Sequence, residues 1–133
     1  RIVAAAMMQP SGFRAEMPDL FYQNNIKAWG PPLCEKRSEV TMDMVHEFLT
    51  SMYTNRADFV FTVSREFVSS LQTPLLIAPD NVPAHPYETA MEVASLAPNA
   101  ELTRFPWKDS AEHIEEAVEQ AREFLKRHEP AVS

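Results

Sequence analysis

Apolar residues along the chain fall into short runs and longer stretches of helical period, and their order predicts the architecture. Ile2-Val-Ala-Ala-Ala-Met-Met8 is short and uniformly apolar, the pattern of a strand covered on both faces. Gln9-Pro10-Ser11-Gly12 ends it as a turn. Residues 13–40 show no regular period. Pro18, Pro31 and Pro32 interrupt them, and Phe13, Phe21, Tyr22 and Trp29 are spread among polar residues. An irregular connection is expected there, of the length found in lids and binding loops.

Thr41 stands as an N-cap before Val45, Phe48, Leu49 and Met52, which recur at helical spacing. Ser64 stands in the same way before a second helix expected to bury Phe67, Val68 and Leu71. Between them, Ala57–Val63 alternates like a strand but would equally extend either helix. The helical pieces between residues 41 and 71 read as a cap-like excursion over a sheet.

The pattern then tightens into strand, loop, helix, strand, loop, helix. Leu75–Ala78 reads as a buried strand, and Pro86 opens a helix with Tyr87, Ala90, Met91 and Ala94 on one face. Pro98-Asn99-Ala100 is a turn, and Glu101–Phe105 is a partly polar strand suited to a sheet edge. Asp109 followed by Glu112 predicts a capping box. The helix after it carries Ile114, Ala117, Val118, Ala121, Phe124 and Leu125 on one stripe, expected to pack on the sheet. The right-handed crossover rule makes the strands parallel neighbours. The expected fold class is α/β, with three parallel strands and flanking helices.

Composition narrows the picture. A chain of 133 residues with 45% hydrophobic content fits one domain with a real core. The net charge of −7 comes from 19 acidic against 12 basic side chains, much of the excess lying on the solvated face of the last helix. No basic stripe suits nucleic-acid phosphates, so no nucleic-acid partner is expected. The N-terminal apolar run is too short for a secretory signal, and no apolar stretch approaches the roughly 20 residues that cross a bilayer. The expectation is a soluble, cytoplasmic protein without a membrane partner. The single cysteine, Cys34, rules out an internal disulfide and reads as an inert thiol.

With only two glycines, Gly12 and Gly30, the chain contains no glycine-rich phosphate loop and no G-x-S-x-G nucleophile elbow. His46, His85, His113 and His128 lack metal-ligand spacing, so neither a metal nor another cofactor is expected. Because the chain opens at Arg1 directly on an apolar strand, it reads as a piece of a longer protein. The exposed edge of residues 2–8 is expected to seek either that remaining N-terminal part or a second copy of the chain.

Several segments together resemble the C-terminal half of an α/β-hydrolase-fold protein. They are Arg1-Ile-Val-Ala-Ala-Ala, Ser64-Arg-Glu-Phe-Val, Leu71-Gln-Thr-Pro-Leu-Leu-Ile, Asp80 with His85-Pro86, Ala97-Pro-Asn-Ala-Glu-Leu and the closing Glu123-Phe-Leu. The match is clearest over residues 60–127. The resemblance implies that residues 1–12 and 72–133 belong to the hydrolase core, and that 13–71 take the place of the cap. It further implies a nucleophile before this chain begins, an acid after strand 75–78 and a histidine after the last strand. Asp80 stands at the acid position, with Asn81 as the alternative occupant if the loop is shifted. The usual Gly-His pair is replaced by Pro106-Trp107-Lys108-Asp109, which leaves His113 as the nearest histidine.

Asp80 and His113 are therefore the candidate catalytic residues, and Trp107 and His85 the candidate substrate contacts. Each has a plainer reading. Asp80 suits a Pro-Asp-Asn turn, His85 suits a helix start, His113 suits a helix boundary, and Trp107 suits a core cover. Lys108 would serve as a base only if desolvation lowered its pKa. The expected activity is hydrolysis of a small ester, lactone or related substrate. The alternative is a non-catalytic relative that binds a small molecule or a partner protein.

Overall fold

The computed structural model describes residues 2–130. Strands β1 (Ala5–Met8), β2 (Leu75–Ala78) and β3 (Ala100–Leu102) form one parallel sheet in the order β1-β2-β3. The register pairs Ala6 with Leu76 and Ile77 with Leu102. Every residue of β2 is buried, because it has a strand on each side and helices over each face. The mixed α/β class with three parallel strands is thus the observed one. Arg1 and residues 131–133, which the expected core boundaries include, lie outside the described residues.

Alternation of side chains along the strands divides the interior into two layers. Leu75 and Ile77, with Ala5 and Met7 beside them, pack against Phe59, Val68, Ala90, Val93 and Ala97. Val68 lies in α4 (Arg65–Ser70), and Ala90 and Val93 lie in α5 (Tyr87–Leu96). On the opposite face α6 (Ala111–Arg127) crosses β1 and β2 with Ala117 and Phe124 buried.

Several expectations are corrected. β1 begins at Ala5, and Ile2 and Val3 before it are exposed, so the apolar run is not covered on both faces. Residues 13–40 are not irregular. They form α1 (Leu20–Asn24), a π-helical turn (Asn25–Trp29) and α2 (Gly30–Lys36). Pro31 and Pro32 occupy the first turn of α2, directly after the π-helical turn. Segment 57–63 is neither strand nor helix but a succession of turns, with Phe59 and Phe61 at φ of 48° and 66°. Burial of both rings offsets that strained backbone. Phe61 packs edge-on to Phe13, Phe21 and Tyr53 in an aromatic cluster beneath the helical excursion.

Thr41 and Ser64 cap α3 (Met42–Tyr53) and α4 as expected, accepting from Met44 N and Phe67 N. Phe67 itself is 51% exposed rather than buried, and Phe48 is also exposed. The capping box before α6 is replaced: Ser110 is the N-cap, accepting from His113 N, and Asp109 turns to the His113 ring. β3 ends at Leu102, three residues earlier than predicted, because Thr103 is the last residue to donate to β2. On α6 the predicted stripe is only half used, since Ile114, Val118 and Leu125 stay 41%, 42% and 49% exposed.

Candidate functional site

Parallel strands end at the same rim, and the loops that follow β1, β2 and β3 meet there. In open α/β sheets ligands collect outside these carboxyl ends. After β1 the chain turns at Gln9, whose φ of 57° is a left-handed conformation that an L side chain adopts only under constraint. That turn aims the Gln9 amide at Asp80, the second residue beyond β2. Gly12 then passes against α5 so closely that an added Cβ would lie 2.1 Å from Thr89 Oγ1.

Asp80 is buried at the centre of the rim. Its Oδ2 accepts from the Gln9 side-chain amide and from Lys108 Nζ at 2.6 Å, and its Oδ1 accepts from Asn81 N at 2.8 Å. Burial pushes the carboxyl up, but the bonds from Lys108, Asn81 and Gln9 and the Lys108 charge outweigh it. Asp80 therefore titrates below the ordinary aspartate range. A depressed carboxyl stabilises the fold above its unfolded value of 3.8 and loses that contribution as pH falls through its folded value. Asp80→Asn is thus expected to lower the urea midpoint at pH 6. The gap to the parent chain should close as pH falls below 3.8. A gap that stays constant down to pH 2 would count against this assignment.

Trp107 lies beside this carboxylate. Its indole Nε1 donates to Pro79 O at 2.7 Å, and Lys108 Nζ sits 5.6 Å from its ring centroid. The ring ties the β3 loop to the end of β2 at the rim. His85 forms a small antiparallel bridge with Val82, and its Nδ1 lies 3.4 Å from Ser11 Oγ. Gln9, Ser11, Asp80, His85, Trp107 and Lys108 thus come from three loops to one rim.

His113 is placed differently. It sits in the first turn of α6 with Nδ1 2.5 Å from Asp109 Oδ1, and that contact holds the Asp109 carboxyl below its usual range. Asp80 is bonded to Lys108 and Gln9, not to His113, so the expected acid and base are held by separate partners. Lys108 occupies the carboxylate where the resemblance implies an imidazole. The sequence reading passed over Gln9 and Ser11, because the left-handed turn that aims Gln9 has no glycine to announce it.

A cavity of about 330 Å³ runs from Pro10 and Ser11 between β1 and α4, lined by Met7, Val63, Val68 and Leu75 among others. It is largely apolar and falls in the size range of small-ligand sites. A larger depression of about 570 Å³ lies between α3 and the 55–62 turns and contains none of the rim residues. Among the described residues no helix is long and apolar enough to cross a membrane, and no group of three His, Cys, Asp or Glu side chains is placed to hold a metal ion. No protein-family model, curated protein or solved structure matches the chain.

Proposed function

We propose that the carboxyl rim is the small-molecule site of an α/β-hydrolase-like sheet. In this reading the apolar cavity beside Ser11 takes the carbon skeleton of an ester, lactone or related carbonyl compound. Ser11 at the cavity mouth, with His85 and Lys108 on the rim, are the polar groups that meet its oxygen atoms, and Trp107 stands beside Lys108. The supporting observation is the convergence of the three strand-end loops around buried Asp80. Asp80 positions Lys108, and Gln9 positions Asp80. Hydrolysis requires a nucleophile and oxyanion donors from outside this chain, in a longer protein of which this chain is the C-terminal portion.

A second reading, binding without turnover, is favoured by the Asp80–Lys108 pair, because a carboxylate held by an ammonium is not orienting an imidazole. Two measurements separate these readings. Titration of the Trp29→Phe chain with γ-valerolactone and with ethyl butyrate should change Trp107 fluorescence saturably. Lys108→Ala should weaken that binding about tenfold, as loss of one charge-assisted hydrogen bond does. An unresponsive Trp107 sinks the site. Turnover of p-nitrophenyl butyrate by the longer protein, abolished by Asp80→Ala, supports the hydrolase, and saturable binding with no turnover supports the binder.

A further inference from the structure

The two flanks of α6 are unlike each other. Its β3 side is polar and tied down: Glu116 pairs with Arg104 at 3.1 Å, Arg127 with Glu101 at 2.7 Å, and Gln120 donates to Leu102 O at 3.2 Å. Its β1 side carries Ile114, Val118 and Leu125, all exposed. Below this stripe lies the outer edge of β1, which no strand pairs among the described residues. Ala5 N and Gln9 N donate to Pro74 O and Ala78 O of the β2 side, so Ala4, Ala6 and Met8 direct their backbone groups outward. From Ile2 to Met8 the edge carries no charge, and an uncharged open edge is a template for another strand.

We propose that a second copy of this chain covers this face, related by a twofold axis beside Ala6. This does not rest on the functional reading and concerns the 133-residue chain by itself, since the preceding strands of a longer hydrolase-like sheet would take the same edge. Within the 133-residue chain, the second copy is the occupant whose pattern matches.

Two independent features match. The first is register. Leu125 lines a groove with Val3 and Ala4 at the start of β1. Ile114 lies eleven residues earlier in α6, about 16 Å along a helix, which is roughly five residues of strand. The middle of the helix stripe therefore stands over Ala6. An antiparallel β1 pair centred on Ala6, with Ala4 opposite Met8 of the second copy, uses the outward-facing backbone groups. The same axis lays the two α6 stripes side by side, antiparallel, with Ile114 opposite Leu125 of the second copy.

The second feature is charge. Above the stripe α6 reads Glu115, Glu119, Arg122, Lys126, acidic first and basic last. With Ile114 opposite Leu125, antiparallel pairing sets Glu115 between Arg122 and Lys126 of the second copy, while Glu119, which pairs with Arg122 of its own chain at 3.2 Å, stands beside the axis. A line whose sign reverses about its own midpoint is complementary to itself under a twofold axis. The result is a continuous six-stranded sheet with β1 and its copy at the centre.

Light scattering on the full 133-residue chain tests this. The expected mass is twice 15.1 kDa at about 50 µM. Val118→Glu should leave far-UV circular dichroism unchanged and give a monomer. Glu115→Arg and Arg122→Glu should each weaken association about tenfold or more, as like charges then oppose each other. The double variant should return to within about threefold of the parent. Amide exchange at Ala6 and Met8 should slow as concentration rises. A monomeric parent, a mass above the dimer, a double variant without rescue, or exchange at Ala6 independent of concentration would each overturn the proposal.

Discussion

Phe124→Ala should lower the unfolding free energy by about 3–5 kcal/mol, the cost of emptying a fully buried aromatic site. Phe124 is 0% exposed and, with Ala117, is one of the two buried residues of α6. Its ring meets the His128 imidazole edge-on at 4.8 Å and lies 5.7 Å from the Arg127 guanidinium, so the last turn of the helix is organised around it. Without the ring, Ala117 is the remaining buried residue of α6, and one face of β2 opens to water. Leu125→Ala, one position along, should cost well under about 1 kcal/mol in dilute solution, because that side chain is already half exposed. Urea midpoints of the two variants check the contrast. Equal losses would show that α6 is not seated through Phe124.

Gly12→Ala should have the second largest effect, about 1–3 kcal/mol of stability. It should also bring a loss of ligand response at the rim. A Cβ at Gly12 would meet Thr89 Oγ1 at 2.1 Å, Cγ2 at 2.6 Å and Cβ at 2.7 Å. Thr89 is buried and β-branched in the first turn of α5, so it has no free rotamer into which to retreat. The 9–12 turn must shift instead, carrying Gln9 away from Asp80 and Ser11 away from His85. Gly30→Ala is the control. The nearest atoms to its Cβ are Val45 Cγ1 at 3.0 Å and the flexible Met42 end at 3.3 Å, and the site is helical, where alanine is favoured. Urea denaturation measures the stability. Trp107 fluorescence during lactone titration of the Trp29→Phe chain measures the rim. A stable Gly12→Ala chain with normal binding would remove the link drawn between this close contact and the site.

At the rim, sequence placed Asp80, His85 and Trp107 together, because each follows directly on a strand or opens a helix whose pattern is clear. It paired Asp80 with His113, whereas the structure joins Asp80 to Lys108 and Gln9 and gives His113 to Asp109. Local order along the chain states which residues lie near a strand end. It does not state which of several donors reaches a carboxylate across three loops. Ser110 displaced Asp109 as the cap of α6 for a similar reason: either side chain can accept an N–H, and Asp109 has the His113 ring as a competing partner.

The periodicities determined β2, α3, α5 and α6, and the caps at Thr41 and Ser64, because burial of one face and capping of one terminus are short-range demands written in adjacent residues. Sequence also determined the absence of a glycine phosphate loop or nucleophile elbow in this chain, since those turns require closely spaced glycines and Gly12 and Gly30 stand eighteen residues apart. Tertiary structure alone decided the rest. Phe59 and Phe61 take left-handed backbone only because a core and an aromatic cluster receive their rings. Pro31 and Pro32 lie inside a continuous helical run where they read as breakers. The stripe on α6 is buried along Ala117 and Phe124 and left open along Ile114, Val118 and Leu125, because a helix wider than the edge strand beneath it has one flank with no sheet to cover. An apolar period names the faces that avoid water, and only the packing of the whole chain assigns which of them finds cover.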